Sequence, residues 1–226
     1  MKSTSGYYSQ KLSGLRLKRC YDIAPPRVRQ YLDAEIEFLL SKVHPLDCVL
    51  ELGCGYGRAL KKLGRHTRLA VGIDISSESL DLGTEFLGKS PKCRLLQMDA
   101  IRMAFPVKAF DLTVCIQNGI SAFHVDKLTL LRESLRVTGP GGRVLFSSYA
   151  EEFWPDRLNW FRLQAAQGLV GEIDEAATGN GVIVCKDGFT ATTISAVEFQ
   201  GLCSSLGCQS ILHTVDASSL FCEISK

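Results

Sequence analysis

The sequence predicts an α/β protein with a Rossmann-like, mostly parallel seven-stranded sheet that carries helices on both faces. Short apolar runs alternate along the chain with segments whose apolar positions recur at helical spacing, which is typical of successive strand and helix units. The run RLAVGIDI at 68–75 is apolar over most of its length, as expected for a parallel strand covered on both faces. An N-terminal helical segment and an insertion after the fifth strand are predicted to flank this core.

The predicted elements of the core follow one another in a regular order. A helix is predicted over 27–43, ending before Pro45, and it is followed by the strand CVLEL and a glycine-rich loop that opens a short helix at 58–64. Three further strands then alternate with two helices. The strands are RLAVGIDI, CRLLQMDA and FDLTVCIQN, the helices span 76–88 and 127–138, and GGRVLFSSY at 141–149 is the fifth strand.

The pattern changes after Tyr149. Residues 151–181 are first aromatic-rich and then glycine-rich and polar, which indicates an insertion rather than a plain connection. The run VIVCKDG, a helix near 196–206 and two short strands near 210–215 and 219–224 complete the chain. We therefore predict one domain, divided into an N-terminal helical segment (1–44), a core (45–150), an insertion (151–181) and C-terminal strands and helix (182–226).

The composition argues against several classes of protein. The 226 residues are 46% hydrophobic and carry a net charge of only +2, so there is no global electrostatic case for a nucleic acid or a membrane surface as partner. No apolar run approaches the roughly 20 residues that span a bilayer, and MKSTSGYYSQKLSG lacks the apolar core of a signal peptide. Nine cysteines without a CxxC pair favour neither a disulfide framework nor a common zinc site. We expect a cytoplasmic protein without a metal centre.

The stretch VLELGCGYGRAL at 49–60 is the strongest local signal. A dinucleotide loop would need glycine or alanine where this chain has Arg58 or Leu60, and no GK[ST] ending for a phosphate P-loop is present. Glu51 precedes the glycines, at a place where its negative charge suits a cationic ligand better than a pyrophosphate. These residues favour a cationic ligand at the carboxyl end of the first strand.

The segment ELGCGYG resembles the first motif of the class I S-adenosylmethionine-dependent methyltransferases. The resemblance implies that Glu51 and the backbone of Gly53, Cys54, Gly55 and Gly57 face the methionyl end of S-adenosylmethionine. The glycines would allow the backbone to approach the ligand where a side chain would obstruct it. The expected product is S-adenosylhomocysteine.

The ends of the next strands resemble the later motifs of the same family. In VGIDIS, the resemblance implies that Asp74 accepts hydrogen bonds from the ribose hydroxyls, with Ile75 beside it. MDA places Asp99 at the adenine amino group and the Ala100 amide near a ring nitrogen. In IQN, Gln117 and Asn118 fall where the reactive methyl should lie. The likeness covers about 47–149, and 187–208 resembles the closing strand, helix and turn.

Candidate residues for the acceptor and for catalysis lie in other segments. His124, six residues after Asn118, is the candidate general base by location, although a capping or surface role suits it as well. Tyr21, in the basic and aromatic N-terminal segment, matches a family pattern in which this segment forms a lid over the cofactor. Arg27 is a candidate for a substrate carboxylate. Tyr149 and Trp154 are candidate substrate contacts, and the aromatic insertion would suit a dimer contact equally well.

The sequence thus predicts methyl transfer from S-adenosylmethionine to the oxygen, nitrogen or sulfur of a small molecule by a monomer or homodimer. An RNA or protein methyltransferase and a non-catalytic S-adenosylmethionine-binding protein are the alternatives. The basic, aromatic N-terminal segment is the argument for RNA, but the rest of the chain is electrically balanced. A dinucleotide-dependent oxidoreductase is disfavoured by the glycine loop.

Overall fold

The architecture is described from a computed structural model that covers Tyr7 and residues 11–226. The remainder of the predicted N-terminal segment, at 1–6 and 8–10, lies outside the described residues. The helices are α1 (Gly14–Asp22), α2 (Pro26–Leu40), α3 (Arg58–His66), α4 (Ser77–Leu87), α5 (Gly119–Ala122), α6 (Lys127–Val137), α7 (Trp154–Ala166) and α8 (Ala196–Ser205).

The main sheet has seven strands in the order β3-β2-β1-β4-β5-β9-β8. Its strands are β1 (Cys48–Leu52), β2 (Leu69–Asp74), β3 (Cys93–Gln97), β4 (Phe110–Cys115), β5 (Thr138–Tyr149), β8 (Ser210–Val215) and β9 (Ser219–Ser225). The first five are parallel, whereas β9 is antiparallel to both β5 and β8. The predicted Rossmann-like α/β fold with a mostly parallel seven-stranded sheet is confirmed, and the structure adds that β9 is the reversed strand.

Both faces of the sheet are covered by helices. Successive residues of a strand point to opposite faces, so both of two neighbouring residues can be apolar. Val49 packs on one face with Leu60 and Leu63 of α3, and Leu50 packs on the other with Leu130 of α6. All of these side chains are fully buried. Since one strand contributes side chains to two cores, its sequence is apolar throughout and does not alternate between apolar and polar residues.

The strand order fixes where a ligand can bind. β1 lies between β2 and β4, so the chain leaves β1 toward one edge of the sheet and later returns to β4 on its other side. The loops at the carboxyl ends of β1 and β4 therefore diverge and leave a crevice between them. The glycine-rich loop follows β1, at this crevice.

The insertion and the N-terminal helices share a separate core. Trp160 and Phe161 of α7 pack with Val28 of α2 and with Phe189, next to the small hairpin of β6 (Ile183–Val184) and β7 (Thr190–Ala191). The strand expected at the start of 187–208 is therefore not part of the main sheet, because β7 pairs only with β6 while β9 and β8 complete the sheet. By its packing, the insertion extends past residue 181 through β7.

None of the helices described is both long and apolar enough to cross a membrane.

Candidate cofactor site

A cavity of about 400 Å³ lies at the carboxyl ends of β1, β2, β3 and β4. Its size falls in the range of small-molecule and cofactor sites. The predicted cofactor residues that line it are Glu51, Gly53, Cys54, Gly55, Asp74, Ile75, Asp99, Ala100, Gln117 and Tyr21. Residues far apart in the sequence meet here because parallel strands end at the same edge of the sheet.

The glycine-rich loop owes its shape to left-handed backbone at its glycines. Gly53 has φ +67°, and a Cβ there would lie 2.5 Å from the ring of Phe123, which also lines the cavity. Gly57 has φ +83° and is the cap of α3, but it does not line the cavity. The loop therefore needs Gly53 for close approach and Gly57 for the entry into the helix.

Glu51 places a buried carboxyl group in the cavity wall. Only 4% of the residue is exposed, and its Oε2 has no hydrogen-bond partner among the described residues. Burial raises the pKa of Glu51 to about 8, which the charge of Arg58 opposes and that of Asp74 reinforces. A positive charge brought close to a buried carboxyl of this kind stabilises its ionised form.

Asp74, at the end of β2, supports the loop as well as facing the cavity. Its Oδ2 accepts a hydrogen bond from the Gly55 amide at 2.9 Å, and its Oδ1 accepts one from the Ser76 amide at 2.9 Å. Each carboxylate oxygen can accept a second bond, so the side chain retains acceptor capacity toward the cavity. Burial raises the pKa of Asp74, and the amides of Ser76 and Gly55 lower it.

Asp99 and Ala100 follow β3 and line the cavity beside Met98. The Asp99 Oδ1 accepts a hydrogen bond from the Ile101 amide at 3.0 Å, which holds the turn. This leaves Oδ2 as a further acceptor at the wall. The three acidic residues at or just beyond the carboxyl ends of β1, β2 and β3 thus line one cavity, spaced along the sheet edge.

In the turn after β4, the side chains of two adjacent polar residues have different surroundings. Gln117 and Asn118 both have left-handed backbone, with φ +55° and +60°. Gln117 lines the cavity. The side chain of Asn118 is engaged elsewhere: its nitrogen donates to the Thr192 carbonyl at 2.8 Å, and its oxygen accepts from the Ser148 hydroxyl at 3.0 Å. Asn118 therefore joins the turn to β5 and to the chain after β7 rather than facing the cavity.

Comparison with known proteins agrees with this geometry. Residues 49–142 match the family model of a methyltransferase domain. The malonyl-[acyl-carrier protein] O-methyltransferase of Marinomonas sp. is 28% identical over 159 residues, covering 66% of this chain and 57% of that protein. The ubiquinone biosynthesis O-methyltransferase of Pseudomonas fluorescens is 28% identical over 135 residues, covering 58% of this chain and 53% of that protein. The chain thus spans little more than half the length of these relatives.

Residues 49–142 are therefore similar to a methyltransferase domain, in agreement with the class I S-adenosylmethionine-dependent methyltransferases that the motifs of the chain resemble.

Solved structures agree on the fold of the chain. The DhpI-SAM-HEP complex superposes with a TM-score of 0.66 at 16% identity and covers 100% of both chains. A SAM-dependent methyltransferase from Aquifex aeolicus superposes with a TM-score of 0.63 at 14% identity, covering 92% of this chain and 96% of that one. At these identities the likeness concerns the fold alone.

The cofactor of the family is S-adenosylmethionine, and the residues of the cavity fit it. The ligand is cationic at its methionyl end, and Glu51 brings a buried carboxyl oxygen without a hydrogen-bond partner among the described residues. The ligand carries a ribose diol and an adenine amino group, and Asp74 and Asp99 bring further acceptors to the same wall. The donors of the ligand therefore match the acceptors of the site in number and type.

Helix α1 and the residues just before it cover the cavity. Leu12, Leu17 and Tyr21 belong to the cavity wall. The Ser13 hydroxyl donates to Glu78 of α4 at 2.6 Å, and the Trp160 ring nitrogen donates to a backbone carbonyl of α1 at 2.9 Å. The helix is thus bound to the core on one side and to the insertion on the other.

Four other predicted site residues do not line the cavity. His124 is half-buried near the backbone of Thr190, and burial lowers its pKa. Arg27 is paired with Asp216 at 2.5 Å. The Tyr149 and Trp154 rings lie 4.6 Å and 5.7 Å from the guanidinium of the buried Arg157. Their assignment to catalysis or to the substrate remains a sequence-based prediction that the cavity geometry does not favour.

Two charged residues near the site were missed by sequence reasoning. Arg58, directly after the glycine-rich loop, lines the cavity. In the sequence this residue was used only to disfavour a dinucleotide ligand. Glu35 of α2 is fully buried, and its side chain accepts a hydrogen bond from the backbone amide of Gln117 at 3.1 Å. Its signal in the sequence is an acid next to Ile36 on the apolar face of the helix, where a charge is costly without partners.

Proposed function

We propose that this protein transfers the methyl group of S-adenosylmethionine to a small-molecule acceptor and releases S-adenosylhomocysteine. The observation that carries the proposal is the cavity in which Glu51, Asp74, Asp99 and Gln117 meet at four adjacent strand ends. The names of the two curated relatives describe O-methyl transfer. Oxygen is therefore the first acceptor atom to test, with nitrogen and sulfur as the others.

Each side chain of the wall has a proposed task. Glu51 would hold the ammonium of the bound cofactor, Asp74 the ribose hydroxyls and Asp99 the adenine amino group. Gln117 and Tyr21 would border the space beside the reactive methyl. When bound, the cofactor supplies an already activated methyl group, so the protein mainly orients the acceptor and excludes water.

The proposed mechanism does not rely on a histidine or lysine base. Among the described residues that line the cavity, none is a histidine or a lysine. Its acidic residues are assigned to the cofactor, and α1 keeps bulk water away from the methyl group. We therefore expect an acceptor that attacks as a neutral nucleophile or that ionises before it binds.

A small molecule is favoured over RNA or a protein chain by the covering of the cavity. Tyr21 hydrogen-bonds to Gln117 across the cavity, and α1 is bound to the insertion by Trp160. A nucleotide or side chain of a polymer would have to displace these contacts, whereas a small acceptor needs only a transient opening of α1. The same arrangement would also serve a non-catalytic cofactor-binding protein.

Two measurements distinguish a small-molecule methyltransferase from an RNA or protein methyltransferase and from a non-catalytic cofactor-binding protein. Calorimetry with S-adenosylmethionine, S-adenosylhomocysteine and NAD is expected to give binding of the first two only; binding of NAD alone would contradict the proposal. Methyl-labelled S-adenosylmethionine is then incubated with pools of small phenols, carboxylic acids, amines and thiols, and in parallel with RNA and protein extracts. Label in a small molecule supports the proposal, whereas label in a polymer or in no product at all contradicts it.

A further inference from the structure

Two side chains from different helices contact the same residue of the turn after β4. The Glu35 Oε2 atom accepts a hydrogen bond from the Gln117 backbone amide at 3.1 Å. The Tyr21 hydroxyl donates to the side-chain oxygen of Gln117 at 2.8 Å. Glu35 belongs to α2 and Tyr21 to α1, and only residues 23–25 separate the two helices. The N-terminal pair of helices therefore binds Gln117 at both its backbone and its side chain.

The backbone of Gln117 needs support of this kind. Its φ is +55°, in the left-handed region that residues with a Cβ atom rarely adopt, and the following Asn118 has φ +60°. The side chain of Asn118 fixes its own half of the turn by bonding to Thr192 and Ser148. Left-handed backbone outside glycine persists where surrounding contacts determine it. For Gln117, the fully buried carboxyl group of Glu35 provides such a contact.

A carboxyl group is costly at position 35. Glu35 lies on the buried face of α2 with four aliphatic residues, Val28, Leu32, Ile36 and Leu39. Its Oε1 atom has no hydrogen-bond partner among the described residues. An apolar side chain at this position would avoid the desolvation of the carboxyl group. The cost is explained if the protein needs a hydrogen-bond acceptor beneath the Gln117 amide.

We infer that Glu35 is a positioning residue for the cover of the cavity. By holding the Gln117 amide, it keeps the turn in the shape that presents the Gln117 side chain to Tyr21, so closure of α1 depends on Glu35. Glu35 itself does not line the cavity, and it acts on the cavity through Gln117, which does. The inference rests on the proposed function, which assigns this cavity to S-adenosylmethionine.

The alternative is that Glu35 stabilises the fold without any link to α1. Its loss would then weaken the whole protein and leave the bond between Tyr21 and Gln117 unchanged. A link predicts more than this, because coupling between two contacts is reciprocal and the loss of either one must weaken the other. A double-mutant cycle between Glu35 and Tyr21 measures the coupling directly.

The first measurement is the dissociation of S-adenosylhomocysteine, followed by stopped-flow displacement. Glu35→Leu should speed dissociation by about 3- to 10-fold, the scale of one net hydrogen bond. In a Tyr21→Phe background, the same substitution should change the rate by less than about twofold, because the bond through which it acts is already absent. Glu35→Gln, whose side-chain oxygen still accepts a hydrogen bond, should stay within about twofold of wild type. Glu37→Leu, the same change at an exposed position of α2, is the control.

The second measurement is amide hydrogen exchange in the cofactor-free protein. Tyr21→Phe should speed exchange of the Gln117 backbone amide by about 3- to 10-fold, although the Tyr21 hydroxyl bonds to the side chain and not to this amide. Glu35→Leu should speed exchange of the amides of α1 by a similar factor. If Glu35→Leu does not fold, the effect of Tyr21→Phe on the Gln117 amide decides.

Three results would overturn the inference. They are equal acceleration by Glu35→Leu in the wild-type and Tyr21→Phe backgrounds, unchanged exchange of the Gln117 amide in Tyr21→Phe, and dissociation from Glu35→Gln as fast as from Glu35→Leu. A folded wild-type protein that bound no S-adenosylhomocysteine would contradict the proposed function instead. The exchange measurement needs no ligand, so it would still decide whether Glu35 controls α1.

Discussion

The Tyr21 hydroxyl donates a hydrogen bond to the side-chain oxygen of Gln117 at 2.8 Å. The two residues are 96 positions apart, and the bond joins α1 to the turn after β4 across the cavity. It therefore connects the cover of the cavity directly to the turn at the carboxyl end of β4.

Removing this bond should loosen the cover. Tyr21→Phe keeps the ring beside Arg58 and should speed dissociation of S-adenosylhomocysteine by about 3- to 10-fold, the scale of one net hydrogen bond. Tyr21→Ala should have a larger effect, because it also removes the cation–π contact. Stopped-flow displacement measures both rates. Leu15→Ala, at a position of α1 that is 67% exposed, is the control; equal rates in Tyr21→Phe and the control would refute this role for the hydroxyl.

Replacing Asp74 should weaken cofactor binding for two reasons. The carboxylate is proposed to accept from the ribose, and it also holds the Gly55 amide of the glycine-rich loop. Asp74→Ala should reduce the binding free energy of S-adenosylmethionine by roughly 1–3 kcal/mol, measured by calorimetry. Asp81→Ala, an exposed position of the neighbouring α4, should leave it unchanged. Wild-type affinity in a folded Asp74→Ala protein would exclude Asp74 from the site.

Cofactor binding should release a proton from Glu51 near pH 7. Since burial raises the pKa of Glu51 to about 8, its carboxyl is largely protonated in the free protein at that pH. A bound ammonium favours the ionised form, so affinity should rise with pH between about 6 and 8 and fall as the pH drops below that pKa. Calorimetry in two buffers of different ionisation enthalpy counts the protons. Glu51→Gln should abolish the buffer dependence; a wild-type signal independent of buffer would contradict the assignment.

The stability of the cofactor-free protein should depend on pH through Glu35. Burial raises its pKa from an ordinary value of 4.5 to about 7, and the nearby hydroxyl groups of Ser147, Ser219 and Tyr31 oppose this rise. The folded state then binds more protons than the unfolded state between these pH values, so this carboxyl makes the free energy of unfolding fall as pH rises through that window. The contribution is on the order of 3 kcal/mol.

Glu35→Gln is expected to remove that part of the pH dependence. Chemical denaturation at pH 5 and pH 8 should show a smaller difference for the variant than for the wild-type protein. The control is Glu37→Gln, at an exposed position two residues further along α2, which should behave as wild type. A wild-type pH dependence in Glu35→Gln would show that this carboxyl does not titrate as its burial indicates.

Most of the cavity wall could be predicted from the sequence. Each of the four polar residues of the wall lies at or just beyond the carboxyl end of an apolar strand, and parallel strands in an alternating α/β chain end at one edge of the sheet. These residues are Glu51, Asp74, Asp99 and Gln117. Their meeting in one cavity therefore needs only the order of the elements, which hydrophobic periodicity provides. The glycine-rich loop is a local motif, and in a different strand order it would lie away from the other residues of the wall.

The tertiary structure alone decided which neighbouring polar residue faces the ligand. Gln117 lines the cavity and Asn118 does not, because two successive left-handed residues turn the backbone after β4. His124 faces the hairpin of the insertion, and Arg27 is occupied by Asp216 from the far end of the chain. Such pairings join residues distant in sequence, and no local periodicity or spacing encodes them.

The sequence by itself thus determined the fold and predicted both the likeness to the methyltransferases and the edge of the sheet that carries the cavity, since these follow from patterns within each strand and helix. Only the tertiary structure decided that α1 covers the cavity, that the partly buried cation Arg58 lines it together with Glu51, and that Glu35 supports the turn after β4. The physical reason is that the pairing and the cost of a buried charge depend on what surrounds it in space.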